Sequence, residues 1–139
     1  MRGYGRFTQR TAYIHKRFYY DLAGVFLIER TLDIFAPAQP ATHYELHQDF
    51  TIYYRDDATE TYRAKGFFVE TSVTSCMVEV LEAGARLVIE STGVENGPAG
   101  MRSRIAYARE TPDRFTGRFG LAPPGKDFAL VEKLVMARL

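Results

Sequence analysis

From residue 25 to the end of the chain, apolar and polar residues alternate with a period of two. Gly, Pro, Asp and Asn break the alternation at short intervals, and the pattern predicts eight strands, at 25–35, 43–54, 61–70, 75–81, 86–92, 101–109, 114–121 and 128–138. β-branched and aromatic residues fill these runs, as a pleated and half-buried surface favours, while turn formers fill the gaps. Pro37 and Pro40 close the first strand, and 93–100 is the most flexible-looking loop. No helix long enough to cross back over a sheet lies between consecutive strands, so neighbours must run antiparallel. Eight short antiparallel strands with one apolar face predict an all-β, up-and-down barrel. A sandwich of similar strand number has the same periodicity and stays open as the alternative.

The first 21 residues follow a different pattern. Arg2, Arg6, Arg10, Lys16 and Arg17 come before any acid, among Tyr4, Phe7, Tyr13, Phe18, Tyr19 and Tyr20. Ile14, Phe18 and Leu22 lie at i, i+4 and i+8, and Gly24 stands where a helix would stop. This spacing predicts a short helix over about 9–22, within a basic, aromatic N-terminal arm at 1–21 that leads into a single barrel domain at 22–139. A cationic arm with interleaved aromatics has the makings of a single-stranded nucleic-acid binder. The plainer reading is an extension packed on its own barrel or on a second copy. A homodimer is therefore expected, and a nucleic-acid partner is not.

Composition narrows the class. With 139 residues, 46% of them hydrophobic, the chain can bury one core and is too apolar for disorder. A formal charge of +1 provides no global field for nucleic acid or an anionic membrane. No apolar run approaches the length of a membrane-spanning helix, and the opening MRGYGRFTQR lacks the apolar centre of a secretory signal. The single cysteine, Cys76, allows no internal disulfide and suits a reducing compartment, so a cytoplasmic location is expected.

Strand parity sorts the side chains into faces. Taking the apolar face as the inner one puts Phe26, Ile28, Leu32 and Ile34 inside together with Arg30. The same rule puts Tyr44, Leu46, Phe50, Ile52 and Tyr54 inside with Gln48, and Phe128, Leu130, Leu134 and Met136 inside with Glu132 and Arg138. First and last strands are neighbours in a closed barrel, so Arg30 and Glu132 are expected to meet there. One reading of this pair is a satisfied internal salt bridge. The other is a ligand anchor, because the planar Arg30 fork suits a carboxylate, enolate or phenolate. Gln48 and the tyrosines Tyr44, Tyr54, Tyr62 and Tyr107 would then complete a small polar centre in an aromatic-lined cavity. On the same barrel a catalyst would use Glu132 as general acid or base, its pKa raised by burial, with Arg30 or a tyrosine stabilising an oxyanion.

Other motifs carry less. His43, Glu45, His47 and Asp49 share one strand face, as metal ligands would, but the face opposite is the apolar one, so this row is expected to point to solvent and no metal is expected. Gly120 to Lys126 has phosphate-loop spacing, yet Asp127 follows where a hydroxyl is needed and two prolines remove donors, so it reads as the last hairpin loop. Cys76 has no neighbouring base and reads as a buried, inert thiol. The cofactor fingerprints of nucleotide-binding and hydrolase folds are missing, so no cofactor is expected.

The run Leu22-Ala23-Gly24-Val25-Phe26 opens the first strand of the barrel, Arg138 ends the last, and Pro124-Gly125-Lys126-Asp127-Phe128 forms the final turn. Together with Ile28-Glu29-Arg30-Thr31-Leu32-Asp33, these resemble the calycin superfamily of lipocalins and fatty-acid-binding barrels, with Phe26 in place of the usual Trp. The resemblance implies a carrier enclosing a small apolar or aromatic molecule, lined by residues such as Phe26, Phe50 and Phe128. It also implies that Arg138 covers the Phe26 ring and that interior Arg and Tyr hold the ligand's head group. A cofactor-independent isomerase, cyclase or decarboxylase is the alternative, and an interaction module using the N-terminal arm is the third.

Overall fold

Every strand pairs antiparallel with its predecessor in sequence, and the last closes on the first. The computed structural model describes residues 1–7, 10–37 and 43–138. Over them run ten strands: β1 (Arg2–Phe7), β2 (Thr11–Asp21), β3 (Phe26–Phe35), β4 (Glu45–Asp56), β5 (Thr61–Phe68), β6 (Val73–Leu81), β7 (Arg86–Glu95), β8 (Arg102–Thr111), β9 (Arg114–Ala122) and β10 (Ala129–Ala137). One short 3-10 turn, Glu82–Gly84, is the helical element among the described residues, and none of their helices could cross a membrane. The barrel is therefore all-β, antiparallel and closed, as expected from 25 onward, and the eight strands anticipated there are β3 to β10. Pro40, expected in the loop after the first of them, lies outside the described residues.

The N-terminal segment overturns an expectation. It is neither helix nor arm but β1 and β2, which close the wall and raise the strand count from eight to ten. Spacings of four and eight fit one helical face, but both are even numbers and so fit one strand face equally well. Ala12, Ile14 and Lys16 are the buried residues of β2, and the lysine among them disguises the alternation. Gly24 completes the hairpin turn to β3, where its amide donates to the Asp21 carbonyl at 3.2 Å.

The second correction concerns which face is inside. In β3 the inner row is Leu27, Glu29, Thr31, Asp33 and Phe35, and in β4 it is His47, Asp49, Thr51 and Tyr53, so the faces chosen by apolar content are reversed there. The outer surface of β3 to β5 carries the apolar side chains instead. Phe50 and Phe67 stack there with ring centroids 4.7 Å apart. In β10 the expected parity holds for Glu132, Leu134 and Met136, but Arg138, past the strand's end, is exposed, and a bulge between Leu130 and Glu132 re-aims the residues before it, leaving Leu130 exposed.

Two buried clusters hold the tube. One joins Ala12, Ile14, Phe35, Leu134 and Met136, the other Ala64, Cys76, Val78 and Ile89, and Ile105 and Tyr107 pack against both. Between β1 and β10 the wall is thinned by glycine. A Cβ on Gly5 would overlap the Glu132 carboxylate and stand 2.5 Å from Ile14 Cδ1, so both buried side chains would have to shift from their packed positions. We expect Gly5→Ala to destabilise the protein by about 1–3 kcal/mol through overpacking. Gly93→Ala, with nothing within 4 Å of the new methyl, should stay within about 0.5 kcal/mol. Thermal melts of both variants followed by circular dichroism check this, and equal melting temperatures would contradict the packing argument.

Candidate functional site

The middle of the tube is crossed by charge. Lys16 on β2 and Glu29 on β3 are both buried, and Lys16 Nζ donates to Glu29 Oε1 at 2.5 Å and to Thr31 Oγ1 at 2.9 Å. Tyr53 on β4 donates from its hydroxyl to Glu29 Oε2 at 2.5 Å. Tyr107 reaches the same pair from β8, on the far wall. Burial alone pulls the Lys16 ammonium down, but Tyr107, Glu29 and Asp49 around it more than reverse this, and its pKa ends above the ordinary value. Burial first, and Glu29 second, push both phenols up, so Tyr53 and Tyr107 stay protonated.

This waist divides two chambers of similar size, because Glu29, Tyr53 and Tyr107 line both. The apolar chamber, about 310 Å³, is walled by Phe18, Leu27, Val78, Val80, Leu87 and Phe115, with Tyr54, Tyr62 and Arg63 also lining it. The acidic chamber, about 300 Å³, carries Asp33, Asp49 and Glu132 among apolar walls that include Ile14, Phe68, Ile89, Ile105, Phe119 and Leu134. Burial raises the Asp33 pKa to about 6 and the Glu132 pKa to about 7, with Lys16 pulling both back in part. Asp49 is raised for the same first reason, against Lys16 and a hydrogen bond with Thr31. Among the described residues, Asp33 Oδ1 and Glu132 Oε1 are buried without a hydrogen-bond partner. At this chamber's edge the His47 ring stands 2.7 Å from Glu45 and 2.8 Å from Glu70. The hydrogen bond to Glu45 is the main reason that His47 is raised above its ordinary value.

Several residues expected in the site lie elsewhere. Arg30 is exposed on the outer wall, its guanidinium 5.7 Å from the Phe50 ring centroid and its Nε 3.2 Å from the Tyr19 hydroxyl, so it forms no pair with Glu132. Phe50 stacks outside on Phe67, and Gln48 is exposed at the edge of the acidic chamber. Tyr44 is exposed. Phe26 packs on Tyr54 at 6.1 Å, and Phe128 lies beneath Arg102 and Arg104. Arg138 faces Asp113 at 3.7 Å and does not cover Phe26. Glu132 and Tyr107 line the acidic chamber, and Tyr54 and Tyr62 line the apolar one. The row expected to face solvent is split: His43 and Glu45 are exposed, whereas His47 and Asp49 line the acidic chamber. No group of three His, Cys, Asp or Glu side chains suited to a metal ion occurs among the described residues. Cys76 is buried, and burial raises its thiol above the ordinary value.

The waist itself was missed. A signal for it existed in the polar row Glu29, Thr31, Asp33, which alternates as regularly as the apolar row beside it. Compared with known proteins, the chain matches no family model and no curated sequence. What the fold and interior define is a class: a closed antiparallel β-barrel with an internal, polar-centred cavity, an architecture consistent with barrel superfamilies such as the calycins.

The raised acids make stability pH-dependent. The Glu132 carboxyl titrates at about 7 when folded against 4.5 ordinarily, so between these values the folded state holds a proton that the unfolded chain has released. Stability therefore falls as pH rises through this window. Asp33 acts in the same direction between 3.8 and about 6. We expect a smaller free energy of unfolding at about pH 8 than at about pH 5, and Glu132→Gln should remove roughly 2–4 kcal/mol of that difference. Denaturant melts at both values measure it, and an unchanged slope in the variant would contradict the burial of an ionisable Glu132.

Proposed function

We propose that the protein is a small-molecule-binding barrel of the calycin kind. It takes a partly apolar or aromatic ligand into its interior and orients that ligand's polar end on groups at and beside the waist. The observation that carries this reading is the unfilled interior: two chambers near 300 Å³ flank a hydrogen-bonded centre. Small barrels are commonly filled by side chains, and chambers of this size with a few convergent polar groups have the anatomy of ligand pockets. Lys16, Glu29, Tyr53 and Tyr107 replace the Arg30-centred anchor expected from parity. The N-terminal strands are committed to the barrel wall, which removes the free arm that an interaction module would use.

A second reading is favoured by one feature. A carboxyl titrating near 7, with an unpartnered buried oxygen, in the wall of a chamber that a buried phenol also lines, suits general acid–base chemistry without a cofactor. In that reading Glu132 moves the proton and Tyr107 steadies an oxyanion, as in an isomerase, cyclase or decarboxylase. Glu132→Gln would then still bind substrate while losing turnover.

Native mass spectrometry of freshly purified protein tests the first reading. The expected spectrum contains a one-to-one adduct above the 15.8 kDa chain, and denaturation releases it as an identifiable small molecule. Bare chain in every preparation would remove the carrier reading and leave the catalytic one.

A further inference from the structure

We infer that the acidic chamber is a site for a small organic cation bearing N–H donors, a primary amine on a short hydrocarbon body, held by Glu132 and Asp33. This rests on the reading of the barrel as a small-molecule binder and names the ligand class of one of its chambers.

The charges facing the chamber do not match. Among the described residues, Glu29, Asp33, Asp49, Glu70 and Glu132 line it, against one lysine, one histidine and no arginine. Lys16 is already engaged by Glu29 and Thr31, and His47 by Glu45 and Glu70. Asp33, Asp49 and Glu132 are left without a dedicated cation among the described residues. Glu132 is only 8% exposed, and its Oε1, like Asp33 Oδ1, has no hydrogen-bond partner there.

A buried acceptor left bare is costly, more so when charged, and an ammonium group relieves both the charge and the missing hydrogen bonds at once. An anionic ligand would meet like charge. A quaternary ammonium would bring charge but no donor for the two bare oxygens. The remaining wall is hydrocarbon and aromatic, with Phe68 and Phe119 placed to pack a short alkyl or aryl body. Because the acids are held partly protonated by burial, a bound ammonium would also drive protons off them.

The probes are phenethylamine, its neutral counterpart 2-phenylethanol and the anion 3-phenylpropanoate. Each is titrated at about pH 8 into protein carrying labelled isoleucine methyls. Ile14, Ile89 and Ile105 line the acidic chamber, while Ile28, Ile34 and Ile52 lie on the opposite face of their strands and serve as internal controls. We expect phenethylamine to shift the first three signals and leave the second three, with affinity at least about tenfold above the alcohol and no binding of the carboxylate. Glu132→Gln should weaken the amine by about tenfold or more and leave the alcohol unchanged, with intact control methyls reporting that the variant folds. Asp33→Asn should weaken the amine in the same way, so the test survives if one variant misfolds. If the alcohol shifts the inner methyls as strongly as the amine, the cation assignment is overturned and the binding reading stands. If none of the three probes shifts them, both fall.

Discussion

One buried ion pair sets the geometry of this barrel. Lys16 and Glu29 leave water together, which is tolerable only when the pair is close and its remaining hydrogen-bonding capacity is filled. The sheet register supplies that filling. Lys16 lies directly opposite Thr31 and diagonal to Glu29, which lies opposite Thr51 and diagonal to Tyr53. Three adjacent strands thus place an ammonium, a carboxylate, a hydroxyl and a phenol on one inner row. A slip of one residue in either pairing would turn Glu29 or Lys16 outward and leave its partner buried and alone. Losing one member of such a pair destabilises by about 3–5 kcal/mol, a large part of the stability of a domain this size. The network therefore acts as a register lock for β2, β3 and β4.

With those strands locked, the rest of the cross-section follows. Every residue that shares parity with Glu29 must face inward, and Asp33 is among them, as Asp49 is with Tyr53 on β4. Apolar residues that would ordinarily fill the core are sent outside instead, where Phe50 and Phe67 stack and Arg30 covers one edge of them. Across the barrel, β10 returns Glu132 to the same interior, and Gly5 on β1 makes the space for its carboxylate. The interior is then too polar to collapse onto itself and too enclosed to hydrate its acids freely. Two chambers are the result, and the acidic one holds carboxyls with raised pKa values.

This inversion also explains what could be read from the sequence. Strand positions from 25 onward were legible, because β-branched and aromatic runs between turn formers depend on local chemistry alone. Periodicity assigned residues to two faces correctly as well: Phe26, Ile28, Arg30, Leu32 and Ile34 do share one. What periodicity lacks is the sign. Choosing the inner face by apolar content fails where polar residues are buried in matched pairs, since neither Lys16 nor Glu29 reveals its partner when read singly. The helix expected at 9–22 failed for a related reason, as Lys16 interrupts the apolar row that would have marked a strand. Glu132 fell on the right side because the bulge that misplaced Leu130 comes just before it.

Glu132 joins the two functional readings, and its pKa alone does not separate them. Burial raises it, the acids Asp33 and Asp49 raise it further, and Lys16, already committed to Glu29, offsets only part of this. A second cation within hydrogen-bond reach would act as Lys16 does, more strongly, and would return the carboxyl to its ionised form. A value near 7 therefore describes a carboxyl without a close counter-ion of its own, which a proton-transfer catalyst and a cation site both possess. The geometry distinguishes them. A general acid–base group needs one productive oxygen and a group to take the opposite charge, whereas here two acids on separate strands, Asp33 and Glu132, line one chamber, each with a buried oxygen that has no hydrogen-bond partner among the described residues. Two such acids beside a single committed lysine match a ligand that brings several donors and a positive charge, so the arrangement favours holding a cation over moving a proton.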